Sequence, residues 1–235
     1  MTETKPARRR PPKFELIAGN VCLDFINTLD DRPSDQPKEL LKSYYNLATF
    51  GHDSGILTAA QQDFFFEQIP LMPDQAEEAL RRAIKLREDL YGIFSALMNE
   101  RGAPQHAMPQ HAMERLNANL HEAALHSRLV QAKLAQPKLA QPKTVPGEVA
   151  PREARLEWRF DEMTSSFNAM LWPIARSAAD LLTSSDVALV RACSSPTCQW
   201  LFLDTSKNHH RRWCSMQSCG NRAKVRRFYA KKKTV

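Results

Sequence analysis

The chain has 235 residues, with 33 Lys and Arg against 26 Asp and Glu, a formal net charge of +7 and five cysteines. That length accommodates one domain of ordinary size plus a small module, and a hydrophobic content of 43% is enough for a packed core. No run approaches the roughly 20 apolar residues of a membrane-spanning helix, which excludes that class of protein.

Residues 1–13 carry Lys5, Arg8, Arg9, Arg10 and Lys13 among Pro6, Pro11 and Pro12, a composition that predicts a disordered basic arm. It has no apolar segment of the export type, so a reducing cytoplasm is the expected setting. Residues 20–29 set Asp24, Asn27 and Thr28 among the apolar Leu23, Phe25, Ile26 and Leu29. Polar groups drawn inward need partners, because an unsatisfied one costs roughly 1–3 kcal/mol. Cys22 reads as a small buried apolar residue.

Residues 30–37 form a polar, turn-rich loop, and 38–50 read as a helix stopped by Gly51. Thr58 caps a further helix to residue 68, with Phe64, Phe65 and Phe66 partly buried, and Pro70 and Pro73 then break the chain. Asp74 is the expected cap of the longest helix, reaching residue 100. Its apolar stripe runs through Leu80, Ala83, Ile84, Leu90, Tyr91, Phe94, Leu97 and Met98 at three- and four-residue steps. Arg87 falls on that stripe and needs a partner, because burial of an unpaired charge is very unfavourable. Asp24 is the expected one, either as a buried ion pair or, with Asn27, as a wall of a small-ligand pocket.

Two tandem duplications follow, Pro-Gln-His-Ala-Met at 104–108 and 109–113, and Leu-Ala-Gln-Pro-Lys at 134–138 and 139–143. They mark tolerated loop insertions near 102–113 and 132–151, so His106 and His111 read as repeat copies rather than metal ligands. Residues 114–135 are helical in pattern, and Pro137, Pro142, Pro146 and Pro151 make the next stretch an exposed connection. Residues 155–160 alternate like a strand. Phe167, Met170, Leu171, Ile174, Ala178, Leu181 and Leu182 form another helical stripe, with Pro173 at a kink or in a first turn.

The last segment carries the strongest signal. Cys193 and Cys198 form one Cys-x4-Cys pair, Cys214 and Cys219 another, with fifteen residues between the pairs. Paired thiolates at this spacing suit one structural zinc ion in a tetrahedral shell. Four sulfurs fill that shell, leaving no position for water or substrate, which argues for scaffolding and against an enzyme. His209 and His210, between the pairs, are expected to stay outside it. Residues 187–190 and 200–203 read as strands, 211–214 as a returning hairpin partner and 219–229 as a helix, a treble-clef-like order. From residue 191 onward eleven Lys and Arg face a single acid, Asp204, so the segment is basic while the rest is net negative. A polyanion is the natural partner. Arg211, Arg212, Arg222, Lys224, Arg226 and Arg227 are the expected nucleic-acid contacts, with Lys231, Lys232 and Lys233 extending the run and Trp213, Phe228 and Tyr229 beside it.

The run Cys-Gly-Asn-Arg at 219–222, preceded by Phe-Leu-Asp-Thr-Ser at 202–206 and Arg-Arg-Trp-Cys-Ser-Met at 211–216, resembles the bacterial CGNR zinc finger. Residues 20–29 resemble the LDFxNT signature opening the ABATE domain, which that family places ahead of the finger and associates with stress-induced transcription regulation. The resemblance implies that the four cysteines hold zinc and that the finger binds DNA. The expected fold is a mainly α N-terminal domain (α+β with few short strands) over 14–185, then a small treble-clef-like zinc finger with a basic tail over 186–235. The expected function is a transcription regulator binding duplex DNA. Its N-terminal domain would sense a small-molecule effector or form a homodimer. An RNA-binding module or a protein-interaction adaptor is the alternative.

Overall fold

In a computed structural model the chain is described over residues 14–99, 110–131 and 156–232. The basic arm, the first Pro-Gln-His-Ala-Met copy with His106, the insertion at 132–151 and Lys233 lie outside the described residues. The longest element, α4 (Pro73–Asn99), starts on a proline whose missing N–H is not needed in a first turn. Asp74 therefore stands inside that turn rather than capping it. The α4 stripe buries Ala83, Leu86, Leu90, Ile93 and Phe94. Against it pack α1 (Val21–Ile26), α2 (Tyr44–Asp53) and α5 (Gln110–Leu125). The helix α6 (Leu171–Thr183) packs on α1 and α5 and has Pro173 in its first turn.

The capping box of α3 (Ala59–Gln68) is present. Thr58 Oγ1 accepts from the Gln61 N–H at 3.3 Å, and Gln61 Oε1 accepts from the Thr58 N–H at 2.8 Å. Phe65 is buried between the rings of Tyr44 and Phe167, while Phe64 is exposed.

Among the described residues three two-stranded antiparallel sheets complete the fold, so it is mainly α with few short strands. β1 (Leu29–Asp30) pairs with β2 (Lys38–Glu39), β3 (Ser127–Gln131) with β4 (Leu156–Phe160), and β5 (Val190–Ala192) with β6 (Leu201–Leu203). The C-terminal residues Leu201, Phe202 and Leu203 belong to the same buried cluster as Leu23, Phe25 and Phe50. One core therefore underlies both parts of the chain.

Several elements differ from the sequence expectation. Residues 38 and 39 are strand, and helix begins only at Tyr44. Glu39 is held in the turn by the Leu41 N–H and by Arg87, partners that no local propensity encodes. Gly51 does not stop α2 but lies inside it, where a Cβ would sit 2.6 Å from Met170 Sδ and 3.0 Å from Leu57 Cδ1. The left-handed turn after α2 falls instead at Gly55, with φ +78°. The helix expected through residue 135 ends at Leu125, and His126 stacks on Trp172 at 3.9 Å as the chain turns into β3. His111 lies in the first turn of α5, 3.3 Å from Glu114. Residues 185–189 form a 3-10 turn before β5, and 211–214 are not strand; the Ser194 N–H to Arg212 carbonyl bond ties them to the hairpin.

Candidate metal centre and nucleic-acid interface

The β5–β6 hairpin carries the first cysteine pair in its connection. The Cys193 N–H donates to Trp200 O at 2.8 Å and the Cys198 N–H to Ser195 O at 3.1 Å, folding the chain so both sulfurs point one way. The second pair sits where a loop becomes helix. A short π-helical turn, Met216–Gly220, runs directly into α7 (Asn221–Lys232). The loop between the pairs is anchored by Asp204, which is fully buried. Its carboxylate accepts from the Ser206 hydroxyl at 2.5 Å, the Ser206 N–H at 3.1 Å and the Arg211 N–H at 3.0 Å. Burial opposes its charge, but these donors hold the carboxyl below the usual range. The one acid of the basic segment is thus a turn anchor.

All four sulfurs are buried and lie within 4.8 Å of one another. Cys198–Cys214 is 3.7 Å and Cys214–Cys219 is 3.6 Å. A tetrahedral shell with Zn–S near 2.3 Å has edges of about 3.8 Å, whereas a disulfide would bring two sulfurs to about 2.05 Å. The cysteines are free. Donor set, spacing and burial fit one structural zinc ion. Crowding also sets the thiols against one another. The S–H groups of Cys198 and Cys214 donate to Cys193 and hold its thiol far below the ordinary range, while that same donation, aided by burial, pushes Cys198 and Cys214 up. A divalent cation removes that conflict. His209 Nδ1 donates to the Asp204 carbonyl, 2.8 Å away, rather than joining the sulfurs.

The four residues at 219–222 have separable duties. Cys219 is a ligand. Gly220 leaves room for Met216, whose Sδ would lie 2.7 Å from an added Cβ. Asn221 Nδ2 donates to Gln217 O at 3.2 Å, closing the π-turn. Arg222 Nη2 donates to Cys219 Sγ at 3.1 Å, steadying the ligand sulfur from the first turn of α7.

The three upstream candidates, Asp24, Asn27 and Arg87, do not meet. Arg87, 2% exposed, grips Glu39 with both terminal nitrogens at 2.7 Å, and Nε donates to Glu88 at 2.8 Å. Asp24 instead accepts from the Ala18 N–H at 2.9 Å, and burial raises its pKa to about 6. Asn27 has the most consequential position. Its Nδ2 donates to Leu201 O and its Oδ1 accepts from the Leu201 N–H, both at 2.9 Å. The side chain thus pairs with β6 as a neighbouring strand would. Beside it the Leu203 N–H donates to Ala18 O at 2.8 Å. Glu39 was not legible as Arg87's partner because it lies 48 residues away.

A model of the ABATE domain, described as "Putative stress-induced transcription regulator", matches residues 19–185, and one of the CGNR zinc finger matches 190–232. The chain belongs to the ABATE family. A search of curated proteins finds no match. In this ABATE–CGNR chain the expected nucleic-acid contacts divide into two groups. Arg211 is committed internally: its guanidinium stacks over Phe202 at 4.3 Å and donates to the carbonyls of Trp213, Cys214 and Ile17. Those contacts turn its Nε and Nη2 inward. Arg212, Arg222, Lys224, Arg226 and Arg227 are exposed, with Arg212 over the Trp213 ring at 5.5 Å. A groove of about 680 Å³ runs beside Arg212, lined also by Ile17, His210, Trp213, Met216 and Gln217.

Proposed function

We propose that this ABATE–CGNR protein is a transcription regulator that binds duplex DNA through its zinc-held unit. The observation that carries the reading is the helix α7. Arg222, Lys224, Arg226, Arg227 and Lys232 are all exposed on it, and no acidic residue follows Asp204 in the sequence. Zinc acts as scaffold: it locks the π-turn, and with it the start of α7, onto the hairpin, while the filled sulfur shell keeps the ion out of any chemistry. The N-terminal domain would receive a small-molecule effector or a second copy of the chain. Anything that shifts α1 would move the finger through Asn27. A cytoplasmic setting suits four reduced thiols.

The test is duplex-DNA affinity of the zinc-loaded chain across a salt series. If Arg212 and the five exposed α7 cations just named each neutralise one phosphate, about six counterions leave and log affinity falls with log salt at a slope of about −5. A slope near zero, or loss of binding only on competition with single-stranded RNA, would overturn the reading. The exposed Phe228 and Tyr229 rings favour the RNA alternative, since unpaired bases stack on such surfaces.

A further inference from the structure

The outward face of α7 is not its most charged face. Ala223 is the buried residue among the described side chains of the helix. Nearly opposite it, at three- and four-residue steps, stand Val225, Phe228, Tyr229 and Lys232. The first three are 53%, 56% and 61% exposed. Arg222 and Arg226 flank this stripe on one side and Lys224 on the other, by their positions around the helix. The result is an apolar centre line with cations on both sides.

We infer that α7 enters the major groove of duplex DNA stripe first, and that Val225 and Phe228 read the 5-methyl groups of thymines. The inference rests on the DNA-binding reading and deepens it. A helix is about 10–12 Å across and the major groove about 12 Å wide, so a seated helix has a phosphate wall on each side and base edges along its centre. The flanking cations match the walls. The apolar centre matches the thymine methyl, the one apolar group that the groove presents. Lys232 decides against hydrocarbon as the occupant, because its ammonium lies 4.9 Å from the centre of the Phe228 ring. A bilayer would have to desolvate that charge, whereas a groove offers it guanine O6 and N7.

The experiment uses the full zinc-loaded chain and a duplex recovered by it from a randomised pool. A second copy of that duplex carries deoxyuridine in place of thymine. Removing one thymine methyl that the stripe touches should weaken binding about fourfold, so two give about fifteenfold, with the salt slope unchanged. The Val225→Ala/Phe228→Ala double variant changes only exposed side chains. It should bind both duplexes equally, at the level of the native chain on the uracil copy. Equal native affinity for the two duplexes, at an undiminished salt slope, overturns the inference and leaves DNA binding standing. Absence of duplex binding by zinc-loaded chain overturns both. Binding to phosphatidylglycerol vesicles that is lost in the double variant, without a thymine preference, assigns the stripe to a membrane surface and also overturns it.

Discussion

Replacing Asn27 with alanine removes both hydrogen bonds that join α1 to β6 and leaves the Leu201 N–H and C=O without partners. Asn27 is 4% exposed and Leu201 1%, so water cannot reach the vacated groups without opening the joint. Each buried polar group left unpaired costs about 1–3 kcal/mol, which puts the total for the two near 2–6 kcal/mol. Asn27→Asp should be no better, since a carboxylate can accept from the Leu201 N–H but faces the Leu201 carbonyl with charge. Urea unfolding of the zinc-loaded chain measures the loss. Amide exchange at Leu201 locates it, because local opening of the joint exposes that amide ahead of global unfolding. A loss below about 0.5 kcal/mol, the range of ordinary surface substitutions, would refute the pairing, as would unchanged exchange at Leu201.

Cys214→Ser should abolish stoichiometric zinc, read by colorimetric metal release, and free the π-turn and the start of α7 from the hairpin, read by faster amide exchange there, while β6 stays protected in the shared core. Burial raises the Asp24 carboxyl from 3.8 to about 6, so its contribution to stability is full below about pH 4 and is lost as pH rises through about 6. Asp24→Asn should flatten that part of the pH–stability profile. After discounting for partial exposure, it should also stabilise the chain by about 1–2 kcal/mol at pH 7, measured by denaturant titration at both pH values. Gly51→Ala should destabilise by about 1–3 kcal/mol in thermal unfolding, because the new methyl meets a buried Met170 and Leu57 that have nowhere to move.

Local signals in the chain proved reliable where both partners of an interaction lie within a few residues. Thr58 caps α3 as its position before the helix implied, with Gln61 three residues on returning the bond. The two cysteine pairs each span one turn, so their common orientation was legible, and the separation of charge around residue 190 needs only counting. The stripe on α4 likewise follows from the helical period. Arg87 marks the limit of such reading: its position on an apolar face announced a buried partner, but not which acid. Arg211 marks a related limit, since a cation in a basic run looks solvated until the carbonyls around it are known.

Composition, period and cysteine spacing by themselves determined that this is a mainly helical chain ending in a zinc-held, cationic unit. Only the tertiary structure decided that Glu39 neutralises Arg87, that Gly51 is a packing site within a helix, and that Asn27 completes the edge of β6. Asn27 and Leu201 are 174 residues apart. Their pairing depends on how two surfaces pack, and burial, which makes an unpaired polar group costly, exists only once the chain has closed around it.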